Sequence, residues 1–553
     1  MKVQSRLVWS IGLLAAALVL VSDAYFVAAQ TTPPSASSGV GTDQASASLD
    51  GARVQFAESL LGVGHRTTQH TVIIRGTRVD YDATVGGTAI RDSMNRIVGI
   101  FTYIAYARRG VAEPMNRPIT FAWNGGPTGA SNELHLSVLG PRRRAVDESG
   151  RATTPESLVD NPHSILDRTD LVFVDPIPTG LSVAVPPGNA ADFYSVDSDG
   201  ASVAQFIYRY LAEAGRLQSP TYILGESYGT IRAAVVPEFL QELGKPLSGV
   251  ILVSSALDGN TIWEASGHLE PYYFYLPAYA AIAWYHHRLP EQPQDLQTFI
   301  QEVQHFALTD FLTTLLAWPD VSADERERIL TKLNGYTGLS KEFWEKSNLR
   351  VGTAAFAREL LRDQGQILTI NDGRLSSPVP PAGGNGGRGG GPGSARPNAT
   401  SSQMDAYLRD ELGVVNAPPY VTIISLMNRN VTPSWDWSHP KLPSRNDRIP
   451  VYTNYLDDIA RAMKSNPQLR VEQHSGRYDL QCAAFPADWA MARMNIPSEL
   501  RHNVQMFDYD GGHMMYNVPS ELVKFTENLV AFYDQAPSSA SSGSRDATPR
   551  RNR

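Results

Sequence analysis

The residues best placed to do chemistry lie in one short stretch, residues 225–229, which reads Gly-Glu-Ser-Tyr-Gly. It follows the apolar run at residues 221–224 and precedes a helix-prone run at residues 230–236. A serine between two glycines at a strand-to-helix turn is typical of a nucleophile elbow, because small neighbours tolerate the strained turn that presents the hydroxyl. The N-terminus of the following helix also stabilises negative charge. We therefore predict that Ser227 is a nucleophile, with an ordinary glycine-bracketed surface turn as the alternative.

Two residues late in the chain are candidates to activate this serine, since a serine hydroxyl needs a base. Enzymes with a nucleophile elbow in an α/β-hydrolase fold supply first an acid and then a histidine after the serine. Asp479 follows one predicted strand, and His513 follows the next one after two glycines. Asp508 and Asp510 compete for the acid role, but they lie too close to His513 in sequence to come from a separate strand. Asp479 is therefore the predicted acid and His513 the predicted base.

A second glycine-rich segment, Asn124-Gly125-Gly126-Pro127, follows the buried-type strand predicted at residues 118–123. An oxyanion that develops during acyl transfer needs backbone N–H donors. Consecutive glycines leave such groups open, because no Cβ atom blocks the approach of a ligand. We expect one donor here and the other at the backbone N–H next to Ser227, with a structural turn as the alternative.

The elements around these segments predict an α/β-hydrolase fold. Its mostly parallel central sheet is flanked by helices and carries an inserted, largely helical cap. Strand-like runs alternate with helix-like runs in residues 51–257 and again in residues 406–535, which we assign to the two parts of the core. Residues 258–405 lack this alternation, are rich in aromatic residues and include a flexible Gly/Pro-rich segment at residues 378–397. We interpret them as the cap, whose aromatic side chains either line a pocket or form the cap's own core.

Composition and termini bound the class of protein. The formal charge of −8 argues against a nucleic-acid partner. Residues 1–29 read as a secretory signal peptide, with a retained membrane anchor as the alternative, so we expect an exported protein, periplasmic or extracellular, without a stable membrane span after cleavage. Residues 30–50 and 536–553 read as a disordered leader and tail. Cys482 is the single cysteine, so the core must hold the fold without an internal disulfide.

Four separated segments together resemble the serine carboxypeptidases (peptidase family S10). They are Asn124-Gly125-Gly126-Pro127 with Leu139-Gly140-Pro141, Phe173-Val174-Asp175-Pro176 with Gly180-Leu181-Ser182, the Gly-Glu-Ser-Tyr-Gly stretch, and Tyr478-Asp479 through Cys482 with Gly512-His513-Met514. The resemblance spans residues of about 75–257 and 406–530, whereas the cap matches only in position. It implies release of C-terminal residues from peptides through an acyl-enzyme, without a metal ion or organic cofactor.

The resemblance also implies roles for single residues. Gly126 and Tyr228 would form the oxyanion hole. The C-terminal carboxylate of a peptide would be held by Asn124, Gly125 and Glu226. Glu226 can do this only when it is protonated, because two like charges repel in a closed site. Cys482 and Met514 would line the substrate pocket, and for Cys482 the alternative is a small buried apolar residue.

Three departures from the family pattern keep other functions open. Thr128 stands where a glycine is usual, Arg477 where an aspartate is common, and Val138 where carboxylate-binding members often carry a second glutamate. The four segments taken together still predict an exported serine carboxypeptidase acting on peptides. An esterase or acyltransferase with the same triad is the first alternative, and a catalytically inactive binding protein on this scaffold is the second.

Overall fold

The computed structural model describes residues 40–146, 153, 157–265, 267–379, 401–422, 434–439 and 454–535. The chain divides into two units, residues 1–48 and residues 49–553. The predicted signal peptide and tail, and nearly all of the predicted Gly/Pro-rich segment, lie outside the described residues. The first described helix starts at Val40, inside the segment predicted as a disordered leader. All of the predicted site residues lie in the second unit.

A ten-stranded sheet forms the centre of this unit. The described strands are β1 (Arg66–Ile74), β2 (Thr77–Arg91), β3 (Ile97–Arg108), β4 (Ile119–Trp123), β5 (Arg142–Arg144), β6 (Leu158–Asp160), β7 (Asp170–Asp175), β8 (Val183–Ala184), β9 (Thr221–Glu226), β10 (Gly249–Val253), β11 (Gln366–Leu368), β12 (Ser376–Pro378), β13 (Arg470–Gly476) and β14 (Val504–Tyr509). Two short sheets of two strands each pair β5 with β6 and β11 with β12. The order in the large sheet is β1-β2-β3-β7-β4-β9-β10-β13-β14, and β8 pairs with β3.

The strand directions confirm the predicted fold class. Each adjacent pair in the series β1-β2-β3-β7 is antiparallel. Each adjacent pair in the series β7-β4-β9-β10-β13-β14 is parallel. β4, β7, β9 and β10 are buried at every position. Continuous apolar runs of this kind are typical of parallel strands that helices cover on both faces. The carboxyl ends of these strands therefore meet at one edge of the sheet, where open α/β sheets bind ligands.

Helices cover both faces of the sheet and fill the connection between β10 and β13. The described helices are α1 (Val40–Ser59), α2 (Asn132–Leu134), α3 (Val196–Glu213), α4 (Tyr228–Glu242), α5 (Gly259–Ile262), α6 (Glu270–Phe274), α7 (Leu276–Tyr285), α8 (Leu296–Phe306), α9 (Leu312–Ala317), α10 (Ala323–Thr337), α11 (Lys341–Lys346), α12 (Thr353–Glu359), α13 (Ser401–Asp410), α14 (Leu456–Ser465), α15 (Ala484–Ala492) and α16 (Pro519–Asp534). No helix among the described residues has the length and apolar composition needed to cross a bilayer.

Apolar side chains from the helices form separate clusters. α3, α4 and α14 pack in one cluster, and α13 and α16 pack in another. A third cluster lies within the inserted helices, where aromatic side chains such as Tyr279, Phe311, Trp344 and Phe356 are buried. These aromatic side chains therefore form a core of the cap itself, which is one of the two interpretations of the cap aromatics given above.

Candidate active site

Ser227 occupies the sharp turn between β9 and α4. Its backbone has φ +59° and ψ −128°, a conformation that costs energy for a residue with a side chain. Its N–H donates to the carbonyl oxygen of Val253 at 2.9 Å, which ties the turn to the end of β10. The indole nitrogen of Trp123 donates to the carbonyl oxygen of Gly229 at 2.9 Å and ties it to β4. The turn is thus fixed from two neighbouring strands, and Ser227 stays partly exposed.

Asp479 and His513 form a hydrogen-bonded pair. They follow β13 and β14, which are adjacent and parallel, so their loops leave the same edge of the sheet. Nδ1 of His513 lies 2.7 Å from Oδ2 of Asp479. The other carboxylate oxygen of Asp479 accepts the backbone N–H groups of Gln481 at 2.7 Å and Cys482 at 3.0 Å. The fully buried Asp479 is therefore fixed in orientation by its own loop.

Hydrogen bonds at Val253 and Ser254 join the histidine loop, residues 510–514, to the serine turn. Ser254 follows Val253 directly, and its hydroxyl donates to the carbonyl oxygen of His513 at 2.7 Å. Two hydrogen bonds and the peptide bond between Val253 and Ser254 therefore connect the Ser227 N–H to His513. Among the described residues, the hydroxyl of Ser227 itself makes no hydrogen bond.

The electrostatics of His513 suit a base that is held close to an acid. Burial lowers the pKa of His513, but the negative charge of Asp479 and its hydrogen bond outweigh burial and hold that pKa well above 6.5. The thiol of Cys482 is also close to His513, and burial raises the pKa of this thiol. A thiol with a raised pKa stays protonated and is a poor nucleophile. Cys482 therefore lines the site as a neutral group.

These same three side chains are the group among the described residues that offers atoms suited to a metal ion. Ligand atoms of Asp479, Cys482 and His513 lie within 4.8 Å of one another. Because Asp479 and His513 are already hydrogen-bonded to each other, a metal ion there would compete with their pairing.

The predicted oxyanion loop, residues 124–127, packs directly against the serine turn. A Cβ atom at position 125 would lie 2.5 Å from the backbone nitrogen of Tyr228 and 2.6 Å from the carbonyl oxygen of Glu226. Only glycine permits this approach. Gly126 has φ +116°, another conformation that favours glycine, and it is partly exposed. The two predicted oxyanion donors, at positions 126 and 228, thus lie in neighbouring backbone segments.

A buried ion pair that the motifs did not predict joins the elbow helix to the oxyanion loop. Nε of Arg232 lies 2.8 Å from Oδ2 of Asp199 on α3, and both side chains are buried. The guanidinium also donates to the carbonyl oxygen of Asn124 at 3.0 Å. The hydroxyl of Tyr228 donates to the same carboxylate oxygen of Asp199 at 3.1 Å. Arg232 therefore positions the loop and the turn together.

Asn124 and Glu226 meet as the resemblance implied. Nδ2 of Asn124 donates to Oε1 of Glu226 at 3.0 Å, and the hydroxyl of Tyr516 donates to Oε2. Burial raises the pKa of Glu226 to about 7, although nearby His513 and the two hydrogen bonds act in the opposite direction. Glu226 is thus neutral in mildly acidic solution, the form that binds a carboxylate.

The second carboxyl near Glu226 comes from a position that the sequence analysis did not single out. Val138 is fully buried in the apolar core. Glu133, five residues earlier, acts on Glu226 through its negative charge. Oε2 of Glu133 pairs with the guanidinium of Arg144 at 2.9 Å. The departure at position 138 is therefore accompanied by a buried Glu–Arg pair beside the predicted carboxylate site.

The other residues singled out in the sequence are Arg477, Thr128 and Met514. Arg477 pairs with Asp510 at 2.5 Å and donates to Gln297 of the cap at 2.9 Å, so Asp510 has a partner other than His513. Thr128 is buried. Met514 is partly buried against the apolar core.

The segment that ends the cap also touches the histidine loop. The backbone N–H of His513 donates to the carbonyl oxygen of Asn371 at 2.5 Å. A Cβ atom at position 512 would lie 2.2 Å from that same oxygen. Glycine is therefore required where the two segments meet.

The strand order, the serine turn and the loops around it define a hydrolase of the α/β-hydrolase fold. Residues 95–360 match the family model described as serine carboxypeptidase (Peptidase_S10). The family of this match is the one that the sequence segments resemble, the serine carboxypeptidases. The match includes the oxyanion loop and the serine turn, and it ends before Asp479 and His513.

Comparisons with other proteins give weaker likenesses. No curated protein matches the chain. Solved structures that are similar include the prohormone-processing carboxypeptidase Kex1 of Saccharomyces cerevisiae, with 15% identity, a TM-score of 0.47 and coverage of 82% of this chain and 91% of that chain. A putative epoxide hydrolase from Pseudomonas aeruginosa has 12% identity, a TM-score of 0.33 and coverage of 82% and 97%. With TM-scores this low, the fold assignment rests on the strand order instead.

Proposed function

We propose that this chain is an exported serine carboxypeptidase that removes the C-terminal residue of peptides. The observation that carries the proposal is the arrangement of two pairs at one edge of the sheet. The Asp479–His513 pair is joined through Ser254 to the turn of Ser227. Asn124 and Glu226 form the second pair, and Glu226 immediately precedes Ser227 in the chain. One pair suits acyl transfer, and the other suits recognition of a free carboxylate.

The proposed reaction uses the side chains of this chain alone. Ser227 attacks the carbonyl carbon of the last peptide bond while His513 takes its proton and later gives it to the leaving amine. Asp479 orients the imidazole and stabilises its charged form. The N–H groups of Gly126 and Tyr228 stabilise the oxyanion. Water, activated by the same histidine, then hydrolyses the acyl-enzyme.

Recognition of the C-terminal carboxylate is assigned to Asn124, Gly125 and neutral Glu226. A protonated Glu226 can donate a hydrogen bond to the carboxylate, whereas an ionised one would repel it. Its pKa of about 7 makes the neutral form dominant in mildly acidic solution. We assign Cys482 and Met514 to the lining of the substrate pocket. Export is proposed from the signal-like residues 1–29.

A comparison of three substrates at a pH of about 5.5 tests this proposal. A blocked dipeptide with a free C-terminal carboxylate should be hydrolysed with a kcat/KM at least about tenfold above that of its C-terminal amide, since only the acid uses the carboxylate site. A simple ester of the same acyl group measures the triad without that site. Absence of any advantage for the free acid would overturn the carboxypeptidase assignment.

The residue type at position 138 is the observation that favours an esterase or acyltransferase as the second candidate, because Val138 offers no carboxyl group and Glu133, the carboxyl beside Glu226, is already paired with Arg144. If the ester is cleaved and the free acid gains nothing over the amide, that candidate replaces the first. A protein that hydrolyses none of the three and resists a fluorophosphonate would instead be the inactive binding protein.

A further inference from the structure

A cleft with two arginines lies beside the proposed carboxylate site. Its lining includes Ser137, Arg143, Arg144 and Tyr516, and it is partly open to solvent. Tyr516 joins this cleft to the site, because its hydroxyl donates to Glu226, the residue before the predicted nucleophile. The cleft therefore lies next to a residue that the proposed function assigns to the C-terminal carboxylate.

The two arginines differ in their partners. Arg144 pairs with Glu133 at 2.9 Å and donates to the hydroxyl of Ser137 at 2.6 Å. Arg143 is half-buried, and its side chain makes no hydrogen bond or ion pair with any other described residue. Burial and the positive charge of Arg144 both lower the pKa of Arg143, which nonetheless remains a cation at any physiological pH. Arg143 is thus the arginine of this cleft that no described residue pairs with.

We propose that this cleft binds an acidic side chain, so that the enzyme prefers to release glutamate or aspartate from the C-terminus of its substrates. The inference rests on the proposed carboxypeptidase function and names its substrate class. A guanidinium binds a carboxylate through parallel N–H···O bonds, which gives strength as well as orientation. A half-buried arginine that no described residue pairs with is a suitable receptor, since its charge is only partly solvated before the substrate arrives.

The pH window for this recognition follows from the groups involved. The side-chain carboxyl of a C-terminal glutamate is ionised above a pH of about 4.3. Glu226 is neutral below a pH of about 7. Both conditions hold in mildly acidic solution, where one carboxylate of the substrate would meet Glu226 and the other would meet Arg143.

Paired substrates test the proposal, because a glutamine end has nearly the shape of a glutamate end without its charge. At a pH of about 5.5 we expect wild-type kcat/KM for a blocked dipeptide ending in glutamate to exceed that for the glutamine counterpart about tenfold. The Arg143→Gln variant should bring this ratio close to one. Arg142→Gln is the matched control, since Arg142 lies in the same strand but pairs with Asp160 and Glu411 instead, and its ratio should match the wild type.

Each alternative outcome is distinct. Equal rates for both ends in the wild type, or a preference that survives Arg143→Gln, would overturn the proposal. An equal loss for both ends in Arg143→Gln would also overturn it, since that result assigns Arg143 to the C-terminal carboxylate. Affinities of the same two peptides for the Ser227→Ala variant separate this proposal from the proposed function. Tighter binding of the glutamate peptide, with no hydrolysis by the wild type, would retain the acidic cleft and reject the carboxypeptidase.

Discussion

At the scale of single residues, the role proposed for Glu226 would couple substrate binding to pH. Its pKa lies near 7 because burial outweighs the charge of His513 and the hydrogen bonds from Tyr516 and Asn124. The neutral form is the one expected to bind a carboxylate, so binding should weaken as the pH rises through about 7. The expected pH dependence of kcat has the opposite sign, and kcat should rise with pH. His513 must lose its proton before it can act as a base, and its pKa is raised.

We therefore predict that KM for a blocked dipeptide with a free carboxylate rises up to about tenfold per pH unit above pH 7. KM for the corresponding amide should stay nearly constant over the same range. Steady-state kinetics between pH 5 and pH 9 measure both. The Glu226→Gln variant, which is neutral at every pH, should lose the rise. Parallel KM profiles for acid and amide in the wild type would contradict the role of Glu226.

At the scale of structural elements, the candidate site lies at the ends of β4, β9, β13 and β14, and contacts from α3 and α4 hold two of these ends together. Arg232 on α4 pairs with Asp199 on α3 and also donates to the carbonyl oxygen of Asn124 after β4. These contacts bridge the elbow helix and the oxyanion loop. Removing one member of a buried charge pair leaves the other without compensation, which is costly.

The Arg232→Met variant should lower the free energy of unfolding by about 3–5 kcal/mol. It should also lower kcat/KM, because the oxyanion loop loses its fixed position. Urea unfolding and peptide hydrolysis measure the two effects. Arg328→Met removes two partly exposed ion pairs on the cap, with Asp310 and Glu325, and its cost should not exceed about 1 kcal/mol for each pair. An Arg232→Met enzyme with wild-type kcat/KM would show that the ion pair does not position the site.

A second prediction at this scale concerns the junction of the cap with the histidine loop. A methyl group at position 512 would lie 2.2 Å from the carbonyl oxygen of Asn371, so Gly512→Ala should displace His513 and reduce kcat at least about tenfold. Gly335→Ala, on α10 with open space around it, should instead stabilise the protein by up to about 1 kcal/mol. Unchanged kcat in Gly512→Ala would mean that the loop adapts without cost.

The sequence predicted local features better than contacts between distant elements. The serine turn and the oxyanion loop each have a local pattern of glycines beside a strand, and both occur where the patterns predicted them. Arg232, Glu133 and Tyr516 were missed because none belongs to such a pattern. Tyr516 meets Glu226 across 290 residues of chain, and only the folded sheet brings them together. Val138 was recognised as unusual, but its burial in the core followed from packing.

At the scale of the whole molecule, a charged histidine ties a separate segment to the core. Nδ1 of His439 lies 2.7 Å from Asp197 and Nε2 lies 3.0 Å from Asp458. Burial lowers the pKa of His439, but the two carboxylates outweigh it and raise the value to about 9. A pKa raised on folding adds stability that is fully present below about 6.5 and is lost as the pH rises through about 9.

We therefore expect the melting temperature of the wild type, relative to that of His439→Gln, to fall by a few degrees between pH 6.5 and pH 9.5. Thermal unfolding of both proteins across that range measures the difference. The comparison removes the contributions of other groups that titrate there, such as Lys245 with a pKa of about 8. A pH-independent difference would show that His439 is not charged in the folded protein.

The proposed function depends above all on activation of Ser227 by His513 and Asp479. Reaction of the protein with a fluorophosphonate, followed by mass spectrometry of the labelled peptides, tests this activation without a substrate. We expect one label per chain, on Ser227, with a rate that falls at least about a thousandfold in His513→Ala and Asp479→Asn. Labelling of another residue, or equal labelling rates in these variants and the wild type, would show that the three side chains do not act as a triad.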